Sequence, residues 1–149
     1  MPPFSLRPAE ARDAAALTDL FLRSRADAMP YLFRPYTDAE TATWMSAHVL
    51  PTHEVHVAVD DGTIVGFVAV RGEELAHLYV DPAAQGRGVG TTLLDRAKRD
   101  RRRLELFVFQ RNERAREFYY RHGFRLVDRN DGSRNEEREP DARYFWTGR

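Results

Sequence analysis

Cysteine is absent from the 149 residues, which excludes disulfides, thiolate metal sites and a cysteine nucleophile and leaves the redox compartment unconstrained. Lysine is nearly absent: Lys98 stands alone, so the positive charge is otherwise arginine. That bias has two readings, phosphate recognition through planar bidentate donors and codon usage, and codon usage is the plainer. An excess of one charge is also missing, since 23 basic and 23 acidic side chains leave a formal net charge of zero. No global field then draws the chain to nucleic acid or an anionic membrane, and any anion has to be held by a local site. No run approaches the roughly 20 apolar residues of a membrane span, and the opening MPPFSLRPAE lacks a basic segment followed by an apolar one. The expectation is a soluble, cytoplasmic protein. Neither a repeat nor a linker interrupts the pattern, and the length suits one domain over residues 1–149.

Read along the chain, Phe4 to Arg7 suits a short strand, and Pro8 to about Arg25 a helix with Ala15, Ala16, Leu20 and Phe21 at helical spacing. Ala28 to Tyr36 holds Met29, Tyr31, Leu32, Phe33 and Tyr36 between two prolines, too broken for a helix and too apolar for a solvated loop. Thr37-Asp38-Ala39-Glu40 opens a second helix that puts Trp44, Met45, His48 and Val49 on one face and ends near Pro51. The period then changes. Val55, Val57 and Val59 alternate with Glu54, His56 and Ala58, and Asp60-Asp61-Gly62 turns the chain into Ile64 to Val70. After Arg71-Gly72-Glu73 a third strand carries Leu75, Leu78, Tyr79 and Val80 and stops at Asp81-Pro82. Val89, Leu93, Leu94 and Ala97 mark a third helix closing in the basic run Lys98 to Arg103, followed by a strand from Leu104 to Phe109. Asn112 caps a helix to about His122 with Ala115, Phe118 and Tyr119 inward and Gly123 as its stop. Phe124 to Val127 and Ala142 to Thr147 are the last strands, separated by the polar stretch Asp128 to Asp141.

The chemistry gathers in Glu74 to Gly90, a strand, a sharp loop and a helix opening on Gly88-Val89-Gly90. Glycines let backbone amides approach a ligand, and amides at a helix start are unpaired, so a diphosphate can be held there without net charge. Glycines placed for tight packing are the alternative reading of such a loop, and on the loop alone the two stand about even. No Gly-Lys-Ser/Thr follows, which excludes a Walker A loop, and Gly86, Gly88 and Gly90 alternate instead of following Gly-x-Gly-x-x-Gly.

Gln85-x-x-Gly88-x-Gly90, preceded by Leu78-Tyr79-Val80-Asp81-Pro82, resembles the acetyl-CoA motif of the GNAT N-acetyltransferase superfamily. Asn112-Glu-Arg-Ala115-Arg-Glu-Phe118-Tyr119-Tyr-Arg-His-Gly123-Phe124 resembles the same family's later helix and strand. With the meander before them the matches span about Val55 to Val127, in the family's order. The resemblance implies a single α/β (α+β) domain: a mixed, mostly antiparallel sheet of six or seven strands, splayed at the acetyl-CoA site and flanked by about four helices. It implies acetyl-CoA as co-substrate, an amine acceptor and no metal; a homodimer is compatible with it, and it names neither nucleic acid nor membrane as partner. Carried across by position, the backbone of Leu78, Tyr79 and Val80 faces the thioester and pantetheine, and Gln85, Gly86, Arg87, Gly88, Val89, Gly90 and Thr91 form the diphosphate loop. Asn112 either reaches the pantetheine arm or is only a helix cap.

Acetyl transfer needs a neutral amine and a proton returned to the leaving thiolate. By the same resemblance Tyr119 is the acid and also touches the coenzyme; a packed core tyrosine is the alternative. Tyr120 points about 100° away and does not share that role. For the base Glu74, eleven residues before Gln85, competes with His77, and strand alternation sets the two on opposite faces. Glu105 is a third carboxylate, and Phe107 stands where some relatives carry a catalytic glutamate. Tyr31, Phe33, Tyr36 and Trp44 suit an acceptor wall or the core, and Asn135-Glu136-Glu137 with Glu139 suits an amine-attracting stretch or a solvated loop. A non-catalytic acyl-CoA sensor of the same fold is the second functional reading, for which the missing acid at Phe107 speaks. Nucleic-acid binding through Arg96, Arg99, Arg101, Arg102 and Arg103 is a third, weakened by the acids elsewhere.

Overall fold

In the computed structural model, which describes residues 4–148, seven strands form one sheet. They are β1 (Ser5–Pro8), β2 (Glu54–Asp60), β3 (Thr63–Arg71), β4 (Glu74–Val80), β5 (Arg103–Phe109), β6 (Arg125–Asn130) and β7 (Asp141–Thr147). The order is β1-β2-β3-β4-β5-β7-β6, and every neighbouring pair is antiparallel except β4 and β5. Four helices cover it: α1 (Ala14–Ala28), α2 (Asp38–Trp44), α3 (Val89–Lys98) and α4 (Glu113–Arg121). A wide π-type turn, Met45–Val49, and a last turn, Leu50–Thr52, prolong α2. This is the mixed, mostly antiparallel sheet with flanking helices that the family resemblance implied.

Local chemistry sets the boundaries. Asp61 (φ 50°) and Gly62 (φ 80°) are both left-handed, as a two-residue hairpin turn requires. At the start of α2, Thr37 Oγ1 accepts the Glu40 N–H at 3.1 Å while Glu40 Oε1 accepts the Thr37 N–H at 2.9 Å, a reciprocal capping box. Asn112 Oδ1 accepts the Ala115 N–H at 3.2 Å and so opens α4, which stops at left-handed Gly123.

At β2 and β3 the sheet is buried on both faces, whereas β6 is exposed along most of its length. In front, Leu17, Leu20, Phe21, Met45 and Val49 pack on Val55, Val57, Phe67 and Ala69. Behind, Val89, Leu93, Leu94, Ala97 and Tyr119 pack on Ala58, Val68, Val70, Leu75, Leu104 and Leu106. The polar-out alternation read for β2 therefore fails at His56 and Ala58, which are buried on the back. A Cβ on Gly66 would lie 2.9 Å from Val89 and 3.0 Å from Leu93, which places this glycine where α3 comes closest to β3.

Several boundaries differ from the sequence reading. Helix α1 begins at Ala14 after a single 3-10 turn, while Pro8 closes β1; Ala15 and Ala16 are exposed, and Leu17, Thr18 and Ser24 join Leu20 and Phe21 inside. Strand β6 continues to Asn130, with Phe124 fully buried ahead of it. The basic run is largely spoken for: Arg96 and Arg101 reach Glu54 at 3.5 and 2.8 Å, and Arg103 reaches Glu73 at 3.6 Å. Lys98 Nζ donates to the His122 carbonyl at 2.6 Å and lies over the rings of Trp146 and Phe124. Among the described residues no helix is long and apolar enough to cross a membrane.

Candidate active site

Strands β4 and β5 share a single register position, Glu74 with Glu105, joined by the Glu105 N–H to the Glu73 carbonyl at 2.8 Å. Beyond it they diverge. Leu78, Tyr79 and Val80 keep β3 on one side and face an opening on the other. Ala76 is a bulge, because Val70 pairs with Leu75 but Ala69 with His77. One extra residue reverses the alternation, so Glu74 and His77 share the front face, contrary to the expectation that they separate. Glu74 is nevertheless exposed at the paired end of the strand, five residues or about 16 Å from Tyr79.

Past β4, Asp81 accepts the Ala83 N–H and the Arg23 guanidinium, each at 2.9 Å, which pins the turn into the loop. Gly86 (φ 81°) and Gly88 (φ 83°) are left-handed, and a Cβ on either would meet nothing within 4 Å. Gly90 differs: its Cβ would touch the Phe118 ring at 3.4 Å. Gly88 caps α3, so the N–H groups of Val89, Gly90 and Thr91 lie in a first turn where no helix carbonyl reaches them. The side chains here turn elsewhere: Arg87 pairs with Asp60 at 2.7 Å, and Thr91 Oγ1 bonds His122 Nε2 at 3.1 Å. Gln85 is half-buried just before them.

Helix α4 packs Tyr119 into the core behind the sheet, in one cluster with Leu78 and Val80. Its ring is 8% exposed, edge-on to Phe118 and Phe124, and its hydroxyl makes no hydrogen bond among the described residues. Burial, and secondarily Tyr79, holds the phenol above its ordinary pKa, so it stays protonated. Tyr120 is exposed beneath the Arg125 guanidinium, as helix geometry required. Asn112 spends its oxygen on the cap, while its amide nitrogen has no partner among the described residues.

In front, a cleft of 1090 Å³ opens between α1, α2, residues 29–36 and the loop at Glu136 and Glu137. Phe21 and Met29 are buried in its floor, and Phe33 and Tyr36 are exposed at its rim. Arg25 enters from α1: Nη2 meets Glu137 at 2.9 Å, and the guanidinium lies over Phe21 and Phe109. His77 stands edge-on to Phe21 and Trp44 without a hydrogen bond among the described residues. Enclosure, then His53 and Arg25, lowers its pKa to about 3, so the ring is neutral near pH 7. Of the expected wall residues, Phe33, Tyr36 and Trp44 line the cleft, whereas Tyr31 lies 3.9 Å beneath the Arg111 guanidinium.

The acidic stretch divides. Glu139 is buried and held at both oxygens by Arg111, 2.8 and 2.7 Å, and Asn135 braces the Glu139 backbone, so neither faces the cleft. Glu136 and Glu137 do face it. Glu105 is tied to Arg143 at 3.0 Å, and Phe107 is 51% exposed. Arg25, Glu40 and His48 were missed as cleft residues. For Arg25 a signal existed: it stands four residues after buried Phe21, on the same face of its helix.

Residues 51–126 match the model of the acetyltransferase (GNAT) domain. The peptidyl-lysine N-acetyltransferase YiaC of Escherichia coli is 31% identical over 124 residues, covering 83% of this chain and 84% of that protein. The solution structure of apo YjaB from Escherichia coli superposes with a TM-score of 0.80 at 26% identity, over 98% of this chain and 99% of that one. The PaiA N-acetyltransferase of Thermoplasma acidophilum, solved in complex with coenzyme A, shares the fold at 21% identity and a TM-score of 0.76, over 97% and 99%. With a family model spanning half of its length and a relative aligned along most of it, the chain is an N-acetyltransferase and belongs to the acetyltransferase (GNAT) family.

Proposed function

We propose that the protein moves an acetyl group from acetyl-CoA to a primary amine by direct transfer in a ternary complex. The carrying observation is the bare edge of β4 beside the glycine cradle before α3, with Tyr119, its hydroxyl unpartnered among the described residues, packed in one cluster with Leu78 and Val80. Space in front of Gly86 and Gly88 fits a diphosphate, which the first-turn N–H groups of Val89, Gly90 and Thr91 hold by hydrogen bonds and helix dipole. Coenzyme A supplies an activated acetyl thioester. Leu78, Tyr79 and Val80 receive the polar pantetheine arm along their free edge, as a sheet takes an added strand, and the Asn112 amide reaches it from α4. Tyr119, protonated and buried, donates its proton to the leaving thiolate, and the proton that the attacking nitrogen loses as the amide forms restores the phenol by way of water.

The amine enters by the front cleft and must shed a proton before it attacks. Neither carboxylate expected as base stands free at the opening, since Glu74 is at the far end of β4 and Glu105 is tied to Arg143, and position 107 is phenylalanine. Neutral His77 accepts a hydrogen bond from the amine and orients it, and the proton leaves through water in the open cleft. YiaC's name specifies peptidyl lysine, and a cleft open to the surface is compatible with such an acceptor. Calorimetric titration with acetyl-CoA and thiol release over an amine panel test this reading. Binding without turnover on a broad panel would instead mark the acyl-CoA sensor that Phe107 favours.

A further inference from the structure

The acceptor cleft has a charge pattern that the transfer chemistry does not explain. Its deep end is apolar and electrically balanced, because Arg25 is matched by Glu137 and His77 is neutral near pH 7. At the rim Arg34 is matched by Asp38. Two carboxylates remain with no cationic partner among the described residues, Glu40 on α2 and Glu136 on the loop before β7. Among the described residues Glu40 accepts only the Thr37 N–H, and Glu136 lies near the Tyr36 hydroxyl. Both, with Glu137, lie near enough to that hydroxyl to raise its pKa, so negative charge gathers at one side of the mouth. The cleft is also larger than one amine needs: about 300–1,000 Å³ suffices for a drug-sized ligand, and this one measures 1090 Å³.

From this arrangement we infer that the acceptor is a dication, a primary amine joined through an apolar segment to a second positive charge held at the rim by Glu40 and Glu136. The inference rests on the front cleft being the acceptor site. His77 is enclosed, turned into the cleft and without a hydrogen-bond partner among the described residues, so the deep end offers one neutral hydrogen-bonding group for the reacting nitrogen. Phe21, Met29, Trp44 and Phe33 offer the apolar passage from there to the mouth. A carboxylate on the acceptor's far end would meet two like charges, and the deep guanidinium that could answer it is already paired. The same chemistry is found in a free alkyl diamine and in a lysine with a basic neighbour in a peptide.

Three acceptors of equal length and different tails test it: diaminooctane, octylamine and aminooctanoate. Binding is measured by calorimetry, with and without unreactive coenzyme A, so the result does not depend on turnover. At low salt the diamine should bind a few-fold more tightly than octylamine and about tenfold more tightly than aminooctanoate, and the spread should shrink as salt screens the rim. Glu40→Gln with Glu136→Gln should flatten the ranking; glutamine still completes the capping box, so α2 is retained. Two lysine peptides, with arginine or glutamate beside the lysine, separate the sources: tighter binding of the basic peptide than of the diamine assigns a peptide, and the reverse a small molecule. Equal binding of the three tails, or a ranking that survives the double substitution, overturns the inference and leaves acetyl transfer standing. Absence of acetyl-CoA binding would count against the transferase reading alone.

Discussion

At the scale of single residues, two side chains divide the proposed chemistry. Tyr119→Phe keeps the ring and its contacts with Phe118 and Phe124, so melting temperature and coenzyme affinity should hold while turnover falls about 100-fold or more. Tyr120→Phe should leave turnover intact, since that ring is exposed on another side of α4. Equal rates for Tyr119→Phe and the parent would remove the acid from the proposal. His77 makes a different prediction. With its pKa lowered to about 3 by enclosure, it charges only in strong acid, so the rate profile between about pH 6 and 9 should contain no limb that His77→Gln abolishes. The inward placing of Tyr119 on α4 was legible because it follows from local spacing, four residues before Gly123. The Arg25–Glu137 pair was not, because its partners lie 112 residues apart and meet only when the loop before β7 folds over α1.

Among the elements, the turn into α3 carries the most testable claim. Gly88→Asp places a carboxylate where the diphosphate is proposed to sit and should abolish acetyl-CoA binding in calorimetry. Gly88→Ala is the control, since it imposes the left-handed strain without the charge and should cost about 1 kcal/mol of stability while binding persists. Gly66→Ala acts on packing alone: its methyl would press Val89 and Leu93, and a loss of about 1–3 kcal/mol should appear in denaturant unfolding. The hairpin, the caps and the start of α3 were readable because each depends on a few adjacent residues. The bulge at Ala76 was not, since an apolar run allows either register and only pairing with β3 selects one. Pro8 was ambiguous for a related reason: proline suits the first turn of a helix and an edge strand equally, and β1 is an edge.

For the molecule as a whole, acid should loosen the junction of β1 with the turn before α1. Arg7 grips both oxygens of buried Asp13 at 2.8 and 3.0 Å and holds its pKa below the usual carboxylate range. Stability from this pair is present above the unfolded pKa near 4 and is lost as pH falls through the folded value. Asp13→Asn should therefore lower the unfolding free energy at neutral pH and flatten its decline below about pH 4, as followed by urea melts. A sheet of six or seven strands was legible in the sequence, but the insertion of β7 between β5 and β6 was not, because sequence order does not fix spatial order in a sheet. The scarcity of lysine bears on how this enzyme can be assayed. Its single ammonium side chain is anchored to the His122 carbonyl and shielded by two rings, so the lysine background in any assay that follows labelled acetyl groups into protein is confined to one hindered position. Lysine label on a mixed substrate thus reports on the partner, and acetylation of Lys98 would register as a lost tie between α3 and the end of α4.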